Sequence, residues 1–500
     1  MKLYPNLIYK EFKDGILEKN SAINQLMTLI INSDDPELRA ESIEFLVKIG
    51  SKDEQIFQLF ENLLISDSDE KVRNTAINAI KNSFIEKALN PMKWSLQHET
   101  SITCLISIIS TLGMINNEKT KKFLLDKIKN IDNYEFNESL QLMFKSNEIK
   151  NLSNESLSDI LNNYKIIKYL KNEFKDINYK VKDGIVSFLD LSGVSTHVFG
   201  WKILRNLPEF IYVLKYLNYL NLKINKISKL PKSIGNLECL IYLDLSNNNL
   251  KKLPESICFL SSLEFLNLKY NKIKELPQAF GNLNSLKTLD LRHNNIKTLP
   301  ISFYELKSLE ILDLHGNQLK SIPISIGGLK SLKVLELGLN DIKELPEGII
   351  NLHSLEKLGL GANKLSMNFS LLGNLTSLSE LDIYDNNIRL LSNEIGLLKS
   401  LDTLILRNNK LTNLPESLKN LKNLQKLDLS WNNLTTLPDW IGALTSLKEL
   451  NLWGNNLKYL PPSLGDLESL KILNLNFNQY IRKIPEPLEG LQDKGLKIFK

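Results

Sequence analysis

Cysteine is nearly missing: Cys104, Cys239 and Cys258 are the only three in 500 residues. That excludes a disulfide framework, and no two of them stand at metal-ligand spacing. A reducing compartment, the cytoplasm, is the expected location. Long apolar runs are also missing. The N-terminal stretch MKLYPNLIYKEFKDGILEK is charged throughout and does not read as a signal peptide. The longest uncharged run, residues 100–117, is too short and too polar to span a membrane. A strong charge of one sign is lacking too. Residues 1–180 carry 24 Lys+Arg against 26 Asp+Glu, and residues 181–500 carry 38 against 31, giving −2 and +7. Neither part has the basic density of a nucleic-acid binder. The sequence has no G-x-x-x-x-G-K-[ST], no H-E-x-x-H, and no nucleophile paired with a base at a recognisable spacing. No enzymatic activity and no cofactor are expected.

What is present in abundance is repetition. From Leu217 a frame returns every 23 residues through Leu470, twelve times without a slip. It reads L-x-x-L-x-L-x-x-N-x-[LI]-x-x-[LI]-P, followed by an aliphatic and a Leu. Asn stands at its ninth position in all twelve copies, from Asn225 to Asn478. Alternation in L-x-L is the burial pattern of a short strand. Successive strands should lie side by side as a parallel sheet on a concave ribbon. The Asn must turn inward after the strand. An unpaired buried amide costs about 1–3 kcal/mol, so twelve of them must bond neighbouring backbone. Pro231, Pro254, Pro277 and Pro300 stiffen the outer wall, where no ladder needs their N–H.

Residues 1–130 follow a looser rule. Asp34–Gly50 and Asp67–Asn82 share D-x-x-[LV]-R, with Asp35 and Asp69 as expected N-caps and Arg39 and Arg73 one turn on. Each follows another apolar-periodic helix, Ser21–Ile31 and Glu54–Ile65, and Glu99–Gly113 is a weaker third copy. Helix pairs at this spacing read as an α-solenoid of the HEAT/armadillo type. The expected organisation is helical repeats over 1–130, a helical linker or further pair over 131–184, a degenerate capping repeat over 185–216, twelve repeats over 217–484 and a C-terminal cap over 485–500. The cap at 185–216 would use FLDLSG as its strand. The polar tail QDKGLKIFK would stop the stack.

The 23-residue frame resembles the intracellular leucine-rich repeats of the Ras-suppressor, Scribble and Erbin scaffolds. It is also similar to those of the plant Ras-group-related and disease-resistance proteins. The resemblance covers roughly residues 186–490. It implies an α/β repeat solenoid, a horseshoe with its parallel sheet on the concave face. It also implies a scaffold that docks proteins there, among them small GTPases or phosphatases. The helical N-terminus departs from those families, so their particular partners do not carry over.

Specificity must sit at the outward positions of each strand, 3, 5, 7 and 8 counting from the first Leu. Position 3 opens with Tyr219, Tyr242 and Phe265. Position 5 is an acidic stripe of Asp244, Asp290, Asp313, Glu336, Asp382 and Asp428. Positions 7 and 8 carry Arg292, His315, Tyr384, Arg407, Trp431, Trp453 and Phe477. Exposed aromatics and Arg dominate binding hot spots. Gly359 and Gly361 fall at positions 5 and 7 of one repeat, as though leaving a bare patch where a partner could approach. That repeat has Phe369 in place of the wall proline, and the next has Leu391-Ser392. His293 and His315, beside Asp290 and Asp313, are the only constellation resembling a zinc site; two solvated imidazoles on an open sheet are the preferred reading. His98, His197 and His353 have no candidate partners in the sequence. The expected function is a non-enzymatic scaffold or adaptor in intracellular signalling. The alternatives are a metal-dependent enzyme on the His293/His315 face and a self-associating architectural protein.

Overall fold

The computed structural model describes residues 4–174, 176–194, 203–366 and 370–500. His197, part of the 185–216 cap and Phe369 lie outside the described residues. The chain divides near residue 190 into two compact units, with Pro208–Leu217 belonging to the first.

The first unit is built of helices: α1 (Pro5–Lys13), α2 (Lys19–Asn32), α3 (Pro36–Ile49), α4 (Glu54–Ser66), α5 (Glu70–Ser83), α6 (Leu89–His98), α7 (Ile102–Met114), α8 (Glu118–Lys129), α9 (Tyr134–Lys145) and α10 (Asn154–Glu173). Their starts are written in the sequence. Asp35 accepts from the N–H of Glu37, and Asp69 from those of Lys71 and Val72. Helices α3, α5, α7 and α10 pack in succession. The arginines of the shared motif tie one repeat to the next. Arg39 Nη2 meets Asp67 Oδ1 at 2.9 Å. Arg73 grips both oxygens of Glu99 at 2.8 and 3.0 Å. The third copy supplies that glutamate but has Leu105 where the arginine would stand.

The span read as helical linker holds α9 and α10, but it also holds a strand. β1 (Asn178–Lys182) and β2 (Ile185–Asp190) are joined by Asp183 and Gly184, both at positive φ, 53° and 76°. That pair of angles is what a two-residue hairpin turn requires. Only glycine fits the second place, because a Cβ there would lie 2.8 Å from Ile160 Cγ2.

The second unit carries twelve three-residue strands, β3 (Tyr219–Asn221) through β14 (Ile472–Asn474), spaced by 23 residues and paired parallel with their sequence neighbours. A 3-10 turn begins after the wall proline in most repeats. Leucines at positions 1, 4 and 6 are buried, and the asparagines are only 3–8% exposed. Each amide bridges repeats. Asn248, for example, donates to Leu222 O and Leu245 O and accepts from Ile227 N–H. The C-terminal tail departs from its expected role as a polar stop. After α11 (Glu486–Asp493), β15 (Lys497–Phe499) adds one more parallel strand beside β14.

The concave face as candidate binding site

Position 8 is the geometric key to this face. In all twelve repeats its φ lies between 50° and 70°, the left-handed region. The chain must turn there to point the next residue, the ladder Asn, inward. Gly316 and Gly454 adopt this conformation at little cost, and Asn247, Asp385 and Asn408 tolerate it. Ile224, Tyr270, Leu339, Trp431 and Phe477 do not: bulky side chains there are strained by about 1–2 kcal/mol each. These same five side chains are exposed, Phe477 by 75%. Ile224 and Leu339 escaped the sequence reading; the recurrent Asn and Gly at this position were the signal that could have found them.

At one end, the rings of Tyr219, Tyr242 and Phe265 stack 4.3 and 4.4 Å apart, nearly parallel. Strand pairing fixes this, because residues in register on parallel neighbours sit directly beside each other. At the other end, Trp453 packs between Trp431 and Phe477, with centroids 5.4 and 5.8 Å away. Arg407 next to this cluster is exposed.

The middle is charged. Arg292 is held by Asp290 at 2.6 Å and Asp313 at 3.2 Å. It is therefore tied into the sheet rather than reaching out from it. Lys357 bridges Glu336 and Glu380, at 3.3 and 3.0 Å. Neither Lys357 nor Glu380 was singled out in sequence; both are at position 3, beyond its aromatic beginning. Among the described residues Asp382 forms no ion pair, and it accepts the Tyr384 N–H. Burial pushes the carboxyls of Asp313 and Asp382 up to about 6. Nearby Glu336 adds to both shifts, and burial raises Glu336 itself. Burial lowers His315, helped by the charges of His293 and Arg292. The two imidazoles meet edge to face, 5.6 Å between centroids. Among the described residues, no three His, Cys, Asp or Glu side chains gather as metal ligands would.

The glycine stretch is not bare. A Cβ on Gly359 would fall 1.7 Å from Glu336 Oε2, and one on Gly361 would fall 2.0 Å from the Tyr384 ring. Side chains from the two neighbouring repeats lie over these glycines and bury them. A partner at this point would meet Glu336 and Tyr384 rather than backbone.

A parallel sheet of short L-x-L strands, an asparagine ladder and a wall of 3-10 turns define a repeat solenoid with a side-chain-bearing concave face. Residues 189–269, 256–319 and 366–491 match the family described as leucine-rich repeat region, which is more than half of the chain. The chain belongs to the leucine-rich repeat family. It is 55% identical over 42 residues to a putative disease resistance protein of Arabidopsis thaliana, a match spanning 8% of this chain and 5% of that one. A leucine-rich repeat protein of Leptospira interrogans is 31% identical in structural alignment, covering 67% of this chain and 98% of its own, with a TM-score of 0.48. An internalin of Listeria monocytogenes shares the fold at 24% identity and a TM-score of 0.54, covering 63% of this chain and 86% of its own. Among the described residues no helix is long and apolar enough to cross a membrane.

Proposed function

We propose that this protein is a non-enzymatic scaffold that docks a protein partner on its concave sheet. The observation that carries the reading is the set of large apolar side chains at left-handed positions. Ile224, Tyr270, Leu339, Trp431 and Phe477 are strained and exposed at once. The fold alone is served there by Gly or Asn, as other repeats demonstrate. Contact with a partner would return the apolar burial that such residues forgo in the free chain.

The charged middle describes the partner further. Asp313, Glu336, Glu380 and Asp382 outnumber Arg292 and Lys357, which favours a basic surface at the centre, flanked by apolar groups at both ends. A role as a signalling adaptor in the cytoplasm, with a small GTPase or phosphatase as partner, follows the resemblance of the repeats to intracellular scaffolds. The helical unit would offer a second surface, bringing two partners together. The test is affinity capture with the whole chain, comparing wild type with Trp431→Ala and Arg407→Glu. Both variants should lose the captured partner while keeping the circular dichroism spectrum. Retention of the partner by both would remove this site.

A further inference from the structure

The repeats treat charge in two different ways on their two flanks. At position 2, entering the strand, signs alternate over five consecutive repeats, Glu264 to Glu356. Glu264 pairs with Lys287 at 2.9 Å and Glu310 with Lys333 at 2.7 Å. At position 12, leaving the strand, five consecutive repeats place Lys251, Lys274, Lys297, Lys320 and Lys343 in one column. All five are exposed, and among the described residues none makes an ion pair or a side-chain hydrogen bond. Asp341, close enough to feel Lys320, is paired with Lys364 instead. Glu275 and Glu344 at position 13 are the acids next to the column in the chain, and Lys229 and Lys252 share that position. Like charges on adjacent repeats repel, so the free chain gains nothing from this arrangement. The column runs about 20 Å along the solenoid.

Beside it stand the two most exposed isoleucines of this unit. Ile301 and Ile324, four residues after Lys297 and Lys320, are 84% and 66% exposed. Positions 13 to 16 share one side of the solenoid: in the first three repeats Lys229, Lys232 and Lys252, with Glu255, Glu275 and Gln278, line a single groove of about 540 Å³. In the fourth and fifth repeats that side presents Ile301 and Ile324, and the lysine column at position 12 adjoins it in the chain.

We infer that this flank docks on the surface of an anionic lipid bilayer. Lysines gain from the negative headgroup layer, and exposed aliphatic side chains gain from entering its apolar boundary. A polynucleotide fits less well, because positions 10 to 14 of the first six repeats hold no aromatic residue on which a base could stack. The concave face is left free for its partner.

The test is flotation of the whole chain with phosphatidylcholine vesicles, with and without phosphatidylglycerol. Wild type should float only with the anionic vesicles, and added salt should release it. Lys274→Glu with Lys297→Glu and Lys320→Glu should lower binding at least about tenfold. The matching triple change to Arg should keep it. Ile301→Ser with Ile324→Ser should weaken binding several-fold, with circular dichroism unchanged in every variant. Equal flotation with neutral vesicles, indifference to the charge reversal, or binding to single-stranded DNA or heparin without binding to vesicles would overturn the inference.

Discussion

Asp382 and Trp431 show what single residues on this sheet do. Asp382 is half-buried, faces Glu336 and Glu380, and has one backbone N–H as its partner. Its carboxyl titrates near 6 when folded, against about 3.9 in an unfolded chain. Below pH 4 it is protonated in both states and neutral to stability. Between about pH 4 and 6 the unfolded chain releases the proton while the folded chain holds it, so stability falls as pH rises. Asp382→Asn should therefore raise the melting temperature at pH 7 and much less at pH 4, as calorimetry at the two values would register. Trp431 illustrates what sequence could not convey. Alternation of L-x-L marks it as outward, but nothing about tryptophan announces a positive φ. That signal sits in Asn247, Asn408, Gly316 and Gly454 at the same position of other repeats. The glycines misled for a related reason. A missing side chain is visible in sequence, whereas a neighbour's side chain lying over the gap is not.

At the level of elements, stability comes from links between repeats. Asn363 donates to Leu337 O and Leu360 O and accepts from Ile342 N–H. Asn363→Ala orphans those groups and should destabilise the repeat unit by about 2–4 kcal/mol in urea denaturation. Gly361 and Tyr384 form a second link. Gly361→Ala forces the Tyr384 ring aside and should cost about 1–3 kcal/mol. In the Tyr384→Ala background the same change should cost little, and a double-mutant cycle measures the difference. In the helical unit Arg73 is the corresponding tie. The strands and the solenoid were legible because one period of 23 residues serves both burial and stacking. The hairpin was not read, although Asp183-Gly184 is a strong turn signal, because the Lys- and Asn-rich sequence around it also suits a helix. The tail strand β15 has too few residues to show a period at all.

Across the whole molecule, the repeats divide labour by face. Leucine and asparagine columns inside hold the solenoid, and variable columns outside carry whatever it recognises. Since each repeat leans only on its neighbours, surface columns can change without disturbing the core. That independence made the fold readable from one chain and left the site readable only as a list of outward positions. Their strain, stacking and pairing needed coordinates. The proposed partner sits on the concave sheet. Photo-crosslinking tests this placement most directly, with a benzophenone amino acid placed at Tyr384 or Trp453 on that sheet and at Phe259 on the opposite wall. A discrete crosslinked partner is expected from the two concave positions and none from Phe259. Crosslinks from Phe259 alone, with none from Tyr384 or Trp453, would contradict that placement.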